Sequence, residues 1–430
     1  MLGSTLSALA RAYPLGADDG RLGRVNNFDA LRLLAALAVL VSHAFVFAGE
    51  EEPRVGTLEL GFIAVYMFFG ISGFLIAQSW SIEPHLWRYL AKRALRIFPA
   101  LIVLLILTVL VLGPAFTTLP LRDYLASGDT WKYLFNNSVL ALEHELPGVF
   151  ATNPYPAEVN GSLWTLGPEM FAYFGLAALG VIGGLRRKWV APIVAVLLLG
   201  VPHDPTGLIP WTHQIWLLQA FAVAISLYIL RDHIPWHGGI ALLLVGAFAL
   251  APSEGTQLLL AATAIPYVTI WVAYRGPAVL RRLATRGDFS YGIYLYAWPV
   301  GQAVAAILPD ATALVVTALS LPVTFALGIA SWNLVEKPAL VLKKSLRGRS
   351  AEPRVDPGPP MSGTSSPPTS ADLSVDANPG APISAKDFPP VGAEERVDPG
   401  STATGTPTRV ASTPRARAVP LQAESPEAAQ

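Results

Sequence analysis

Apolar runs long enough to form membrane helices recur as far as Leu334, separated by short polar loops. A bilayer crossing takes about 20 apolar residues, and shorter runs are tolerated when helices tilt or break. The pattern predicts ten helices: Phe28–Ala48, Leu60–Trp80, Phe98–Leu112, Leu163–Gly183, Trp189–Val201, His213–Leu230, Gly238–Ala251, Gln257–Tyr274, Phe289–Leu308 and Ala311–Leu334. The fifth and seventh are short, as tilted or broken spans would be. Gly113 to Gly161 is too long for a simple turn, and within it Trp131–Leu142 has the pattern of an amphipathic helix lying at the interface. The expectation is an all-α integral membrane protein.

The pattern stops near residue 350. From Ser350 to Gln430 there are 15 of the 37 prolines and one aromatic residue, Phe388. Such a segment cannot bury enough apolar area to offset its ordering entropy, so residues 350–430 are expected to form a disordered tail. Three parts follow: an N-terminal segment over 1–27, a membrane domain over 28–349, and the tail. The N-terminal segment carries Arg11, Arg21 and Arg24 without a continuous apolar core, so it does not read as a cleavable signal peptide.

Composition agrees with the apolar pattern. The chain of 430 residues is 53% hydrophobic and 14% charged, with mean hydropathy +0.47. A soluble chain of this length would carry about a quarter charged residues. A net charge of zero argues against nucleic-acid binding, which needs a basic excess. The absence of cysteine excludes disulfides, thiolate metal sites and cysteine nucleophiles. With the N-terminus inside, the inner loops collect twenty Lys and Arg residues, and the outer loops hold only Arg54, Arg122 and Lys132. That asymmetry predicts an even number of spans with both termini cytoplasmic.

Ionisable groups within spans are costly, so each is a candidate for function. Arg32 and His43 lie eleven residues apart in the first helix. That spacing is about three turns and roughly 16 Å of rise, so both project from one face, Arg32 toward the inside and His43 toward the outside. Arg93 and Arg96 share a helical face at the inner surface, where guanidinium forks could grip phosphate or simply anchor the helix. Pro99 suits the first turn of the helix predicted from Phe98. Glu169 counts down from the outer surface to nearly the depth of His43, so the two could pair as a base and its orienting carboxylate. An ordinary ion pair is the competing reading for Glu169, and a satisfied core histidine for His43.

Weaker signals point elsewhere. Gly70-Ile71-Ser72-Gly73 is a near miss for a nucleophile elbow and reads better as close helix packing. His233 and His237 are interrupted by Pro235, so a metal pair is not expected, and no zinc-protease, P-loop or DxD pattern occurs.

Six segments, in order, resemble the membrane acyltransferase-3 family, whose bacterial members O-acylate cell-surface carbohydrates. They are Phe28-Asp29-Ala30-Leu31-Arg32 through His43, Met67–Ile76, Arg93–Pro99, Asn160–Glu169, Asp288–Tyr294 with Pro299, and Ser331–Pro338. The resemblance covers Asn27 to about Arg347. Tyr66 departs from it, standing where relatives often carry a polar or acidic residue, and is assigned no catalytic role. The fused hydrolase-like domain of some members is not expected here.

The resemblance implies transfer of an acyl group, most often acetyl, from cytoplasmic acyl-CoA to a hydroxyl of a glycan or lipid-linked saccharide, in the inner membrane and without a metal. Arg32, Arg93 and Arg96 would then hold the donor phosphates. His43 would act as general base or accept the acyl group itself, supported by Glu169. Asn160 and Trp164 would shape the outer mouth for the acceptor. The rival reading is a secondary transporter of a sugar or small anion, which ten helices with buried His and Glu would also suit.

Overall fold

The computed structural model describes residues 12–15, 26–201, 212–284 and 287–346. The tail over 350–430 and most of the segment over 1–27 lie outside the described residues. The described chain is mostly helical, with one two-stranded hairpin, β1 (Arg54–Val55) and β2 (Leu58–Glu59).

All ten expected apolar segments are helical. In chain order the helices are α1 (Phe28–Phe47), α2 (Leu60–Ile82), α3 (Leu86–Leu107), the short α4 (Gly113–Phe116) and α5 (Leu121–Ala126), and α6 (Gly128–Ser138). After them come α7 (Leu166–Val181), α8 (Val190–Leu199), α9 (Thr212–Ile229), α10 (Gly238–Ala249), α11 (Glu254–Arg275), α12 (Ser290–Ile307), α13 (Ala313–Ser331) and α14 (Lys337–Leu346). Among the described residues, five helical stretches are long and apolar enough to cross a membrane: Phe28–Phe47, Leu60–Ile82, Leu86–Phe116, Glu254–Arg275 and Ala313–Leu342.

Two boundaries differ from expectation. α3 begins at Leu86 rather than Phe98, because Leu86-Trp87-Arg88-Tyr89-Leu90-Ala91-Lys92 is amphipathic rather than wholly apolar and a search for apolar runs passes over it. Pro99 therefore lies inside α3 and not in its first turn, which corrects the sequence reading. The amphipathic helix expected over Trp131–Leu142 is α6, displaced toward the N-terminus. It stops where Leu140 enters the left-handed region (φ +64°) and the Asn137 amide bridges to the Glu143 backbone.

The core is organised around α1 and α2. α2 packs on α1, α9 and α11, while α1 also meets α12 and α13. Close approach depends on small residues, as the Gly70–Gly73 segment suggested. A Cβ at Gly70 would press on Pro266 of α11, and one at Gly73 would clash with the Phe221 carbonyl of α9. Gly301 of α12 is likewise closed off by the Phe47 ring of α1. The consequence for function is that α1, α2 and α12 are held close enough to wall two adjoining cavities.

Candidate active site

The first cavity is lined by Arg32, Arg93, Arg96, Ser72, Glu169 and Tyr173, with Tyr291 and Tyr294 from α12. Its charges arrive on separate elements. Arg32 extends from α1 and the two α3 arginines from one helical face. Asp288 stands just ahead of α12, and Glu336 closes a π-helical turn, Trp332–Glu336, after α13. Such turns are often found at functional sites.

Asp288 Oδ2 is shared between Arg96 (2.6 Å) and Arg32 (3.4 Å), and Arg32 also reaches Asp29 (3.3 Å). Arg96 binds Glu336 as well (3.1 Å), whose other oxygen accepts from Ser331 (3.0 Å). Burial alone would raise the Asp288 carboxyl, but Arg96 and Arg32 hold it below the usual carboxylate range. Two of the three arginines singled out for phosphate are thus already paired with carboxylates.

Arg93 is different. It makes no ion pair among the described residues, its Nε has no partner, and its guanidinium lies 5.9 Å from the ring centres of both Tyr89 and Tyr173. Aromatic faces favour a cation without neutralising it. Arg93 is the arginine of this cavity left able to take an anionic ligand.

The second cavity contains His43. It is walled by Glu52, Glu59, Phe62, Tyr155, Trp164 and Trp298. The His43 ring meets the Trp298 edge at 4.6 Å, and its buried Nδ1 has no hydrogen-bond partner in the protein. Trp298 is itself held by donation to the Glu158 carbonyl (3.0 Å). Phe62 and Trp164 stack nearly parallel, with centres 6.3 Å apart. Glu52 reaches in from the loop after α1 and accepts from Ser42 Oγ. Burial pushes its carboxyl up from the ordinary range, with Glu59 adding to the effect and the Ser42 hydrogen bond and Arg54 opposing it.

Val65 and Tyr294 line both cavities, so they form the partition between them. The Tyr294 hydroxyl is fixed by Thr165 Oγ1 (2.7 Å) and the Ser162 carbonyl (2.8 Å).

Two expected placements are corrected. Glu169 does not pair with His43: it lies in the arginine cavity, where it accepts from Tyr173 and, at 3.4 Å, from Ser72. The depth count assumed that the segment starts at the outer surface. Asn160 is only 1% exposed and the 3-10 turn Gly161–Thr165 is largely buried, so Glu169 begins its descent from within the protein. Asn160 is also not a mouth residue, because its amide donates to the Leu295 carbonyl (3.0 Å) and ties the turn to α12. Trp164 does face the histidine cavity, and Arg32, Arg93 and Arg96 do converge. Sequence reasoning assigned no role to Asp288, Glu336, Glu52, Tyr294 or Trp298. The first two stand in the segments that resemble the family, two and five residues from the serines that bind them, and a carboxylate beside a membrane helix was the available signal.

Comparison with known proteins gives the family. The chain is 30% identical over 341 residues to an O-acetyl transferase of Shigella phage Sf6, covering 73% of this chain and 95% of the relative. It is 30% identical over 370 residues to nodulation protein 10 of Rhizobium leguminosarum bv. viciae, covering 76% and 96%. Acyltransferase MdmB of Streptomyces mycarofaciens is 25% identical over 316 residues, covering 64% and 78%. No solved structure matches the chain. The acyltransferase-3 profile, described as an acyltransferase domain, matches residues 25–332, a span that takes in both cavities. The chain therefore belongs to the acyltransferase-3 family and is an acyltransferase of groups other than amino-acyl groups.

Proposed function

We propose that the protein is a multi-pass inner-membrane O-acyltransferase that moves an acyl group, most simply acetyl, from cytoplasmic acyl-CoA to a hydroxyl of a cell-envelope or exported carbohydrate. The observation that carries this reading is the pair of cavities sharing Val65 and Tyr294, one rich in arginine and the other holding an unpartnered histidine. The basic residues gathered in alternate loops support a cytoplasmic arginine side, ten spans and cytoplasmic termini.

In this reading Arg93 takes the donor's anionic phosphate groups, and Arg32 and Arg96 supply positive potential from positions held by Asp288 and Glu336. Glu169 fixes Tyr173 and Ser72 along the donor's route. The thioester reaches the partition and the acceptor enters the histidine cavity. His43 removes the hydroxyl proton as the oxygen attacks the thioester carbon. The C–S bond breaks, and the departing CoA thiolate recovers that proton from the imidazolium. Trp164 walls the acceptor side.

The test is His43→Ala in detergent-purified or vesicle-reconstituted full-length protein supplied with radiolabelled acetyl-CoA. A general base contributes about a hundredfold or more, so transfer should fall by at least that factor at normal membrane abundance. Transfer within a few-fold of the parent protein would overturn the assignment.

A further inference from the structure

Charge is distributed unevenly around the histidine cavity, and this bears on what its acceptor can be. No Lys or Arg lines the cavity among the described residues, whereas two carboxylates do. Glu59 is compensated by Arg54 (2.8 Å), which pairs with it from outside the lining. Glu52 makes no ion pair among the described residues. Its Oε2 accepts from Ser42 Oγ, which also accepts from the Gly61 amide (3.0 Å), so the carboxylate is held in place while Oε1 makes no hydrogen bond to the described residues. A fixed carboxylate oxygen without a protein donor is an acceptor awaiting hydroxyl donors.

The remaining surface is aromatic. Trp298 stands edge-on to both His43 (4.6 Å) and Tyr155 (5.6 Å). The faces of a sugar ring are apolar C–H surfaces and its rim is hydroxyl. Aromatic walls with a few fixed polar groups match that division.

Resting on the acyl-transfer reading above, we propose that this cavity binds a neutral sugar ring and excludes anionic ones, with Glu52 as the residue that receives the acceptor's neighbouring hydroxyls and makes that choice. A uronic acid would bring its own carboxylate against Glu52 inside a partly desolvated space, where like charges repel far more than in water. Neutral hydroxyls donate to the same oxygen without that penalty. Glu52 is thus a specificity residue for the acceptor and leaves the donor untouched.

The test compares methyl glucoside with methyl glucuronide as acceptors, using radiolabelled acetyl-CoA and the full chain in vesicles. The parent protein should favour the glucoside at least tenfold in kcat/KM. Glu52→Gln, which keeps the shape and the Ser42 contact, should bring the two acceptors within about threefold while the KM for acetyl-CoA stays unchanged. Glu52→Asp, which keeps the charge, should retain the preference even if overall acceptor use declines, and a purely structural role would not separate the two variants. Equal use of both acceptors by the parent protein, or an undiminished preference in Glu52→Gln, would overturn the proposal. Transfer to neither glycoside by a protein that still turns over acetyl-CoA would overturn it too, leaving the acyl-transfer reading standing. Absence of any acetyl-CoA turnover would instead remove that underlying reading.

Discussion

The two cavities share a wall yet handle polar groups in opposite ways. Around the arginines, a network of ion pairs holds two of the three: Asp288 serves Arg32 and Arg96, and Glu336 serves Arg96 while being held by Ser331, with Arg93 left outside it. Around His43, Glu59 has its partner in Arg54, but among the described residues Nδ1 is unpartnered and Glu52 is bound only through Ser42. A buried cation left alone is very costly, so two of the arginines are balanced by carboxylates, and Arg93 is eased only by the rings of Tyr89 and Tyr173. A base that must remove a proton gains nothing from a permanent partner at the reacting position. In the proposed acyl-transfer reading, the difference suits one cavity to a charged donor and the other to a neutral reaction step.

The largest effect should come from breaking the paired side. Asp288→Ala strips a shared partner from two half-buried arginines that each keep one other carboxylate, Arg32 with Asp29 and Arg96 with Glu336, so it should cost about 2–3 kcal/mol of stability, the upper range for hydrogen bonds to charged groups. Thermal unfolding in detergent would read this directly. A variant as stable as its parent would mean that the network is dispensable and the contrast between the cavities is only geometric.

Next in size is a comparison within one helix. Arg93→Lys should raise the KM for acyl-CoA by about tenfold, or roughly 1.4 kcal/mol, since lysine lacks the planar fork that grips phosphate. Stability should hardly change, because no ion pair is lost. Arg96→Lys should do the reverse, lowering the unfolding temperature through loss of the bridge between Asp288 and Glu336. Equal effects on donor kinetics and stability in both variants would erase the distinction between a ligand-binding and a positioning arginine.

The smallest effect lies outside both cavities. Arg88 and Lys92, on the same helix, both bind Glu83. The hydrogen bonds from Lys92 and Arg88 lower the Glu83 carboxyl below its ordinary value of 4.5. A lowered acid contributes stability fully above its unfolded pKa, and the contribution fades as pH falls through the folded value. Glu83→Gln should therefore cost about 1 kcal/mol at neutral pH, with the difference vanishing in acid, since Glu83 and Arg88 keep contact with solvent although Lys92 is buried. A larger loss would show that charge pairing matters beyond the cavities too.

The ease of reading these features from sequence followed the distance over which they act. Helices announced themselves as apolar runs, because a lipid-facing or core-facing span needs little except apolar side chains. The start of α3 did not, since its first turns carry Arg88, Lys92 and Arg93 on an amphipathic surface. The arginine convergence could be anticipated from spacing within α3 and from Arg32 near the start of α1. Their carboxylate partners could not: Asp288 and Glu336 lie 192 and 240 residues from Arg96, and no local pattern encodes that pairing. The misplacement of Glu169 beside His43 came from counting depth along a span assumed to begin at the surface. Burial of Asn160 and the turn after it could be seen only in three dimensions.

The long sequence separation within the arginine network also has a consequence during synthesis. Chains are made at about 5–20 residues per second, so Arg96 leaves the ribosome roughly 10–40 seconds before Asp288, 192 residues later. During that interval α3 carries a guanidinium whose eventual partners do not yet exist, and its long side chain must reach toward lipid headgroups or water. Glu336 arrives later still. The network therefore closes only when nearly all of the helical core has been inserted, which makes it a late checkpoint of assembly: a chain halted before Asp288 would keep Arg32 and Arg96 but have neither Asp288 nor Glu336.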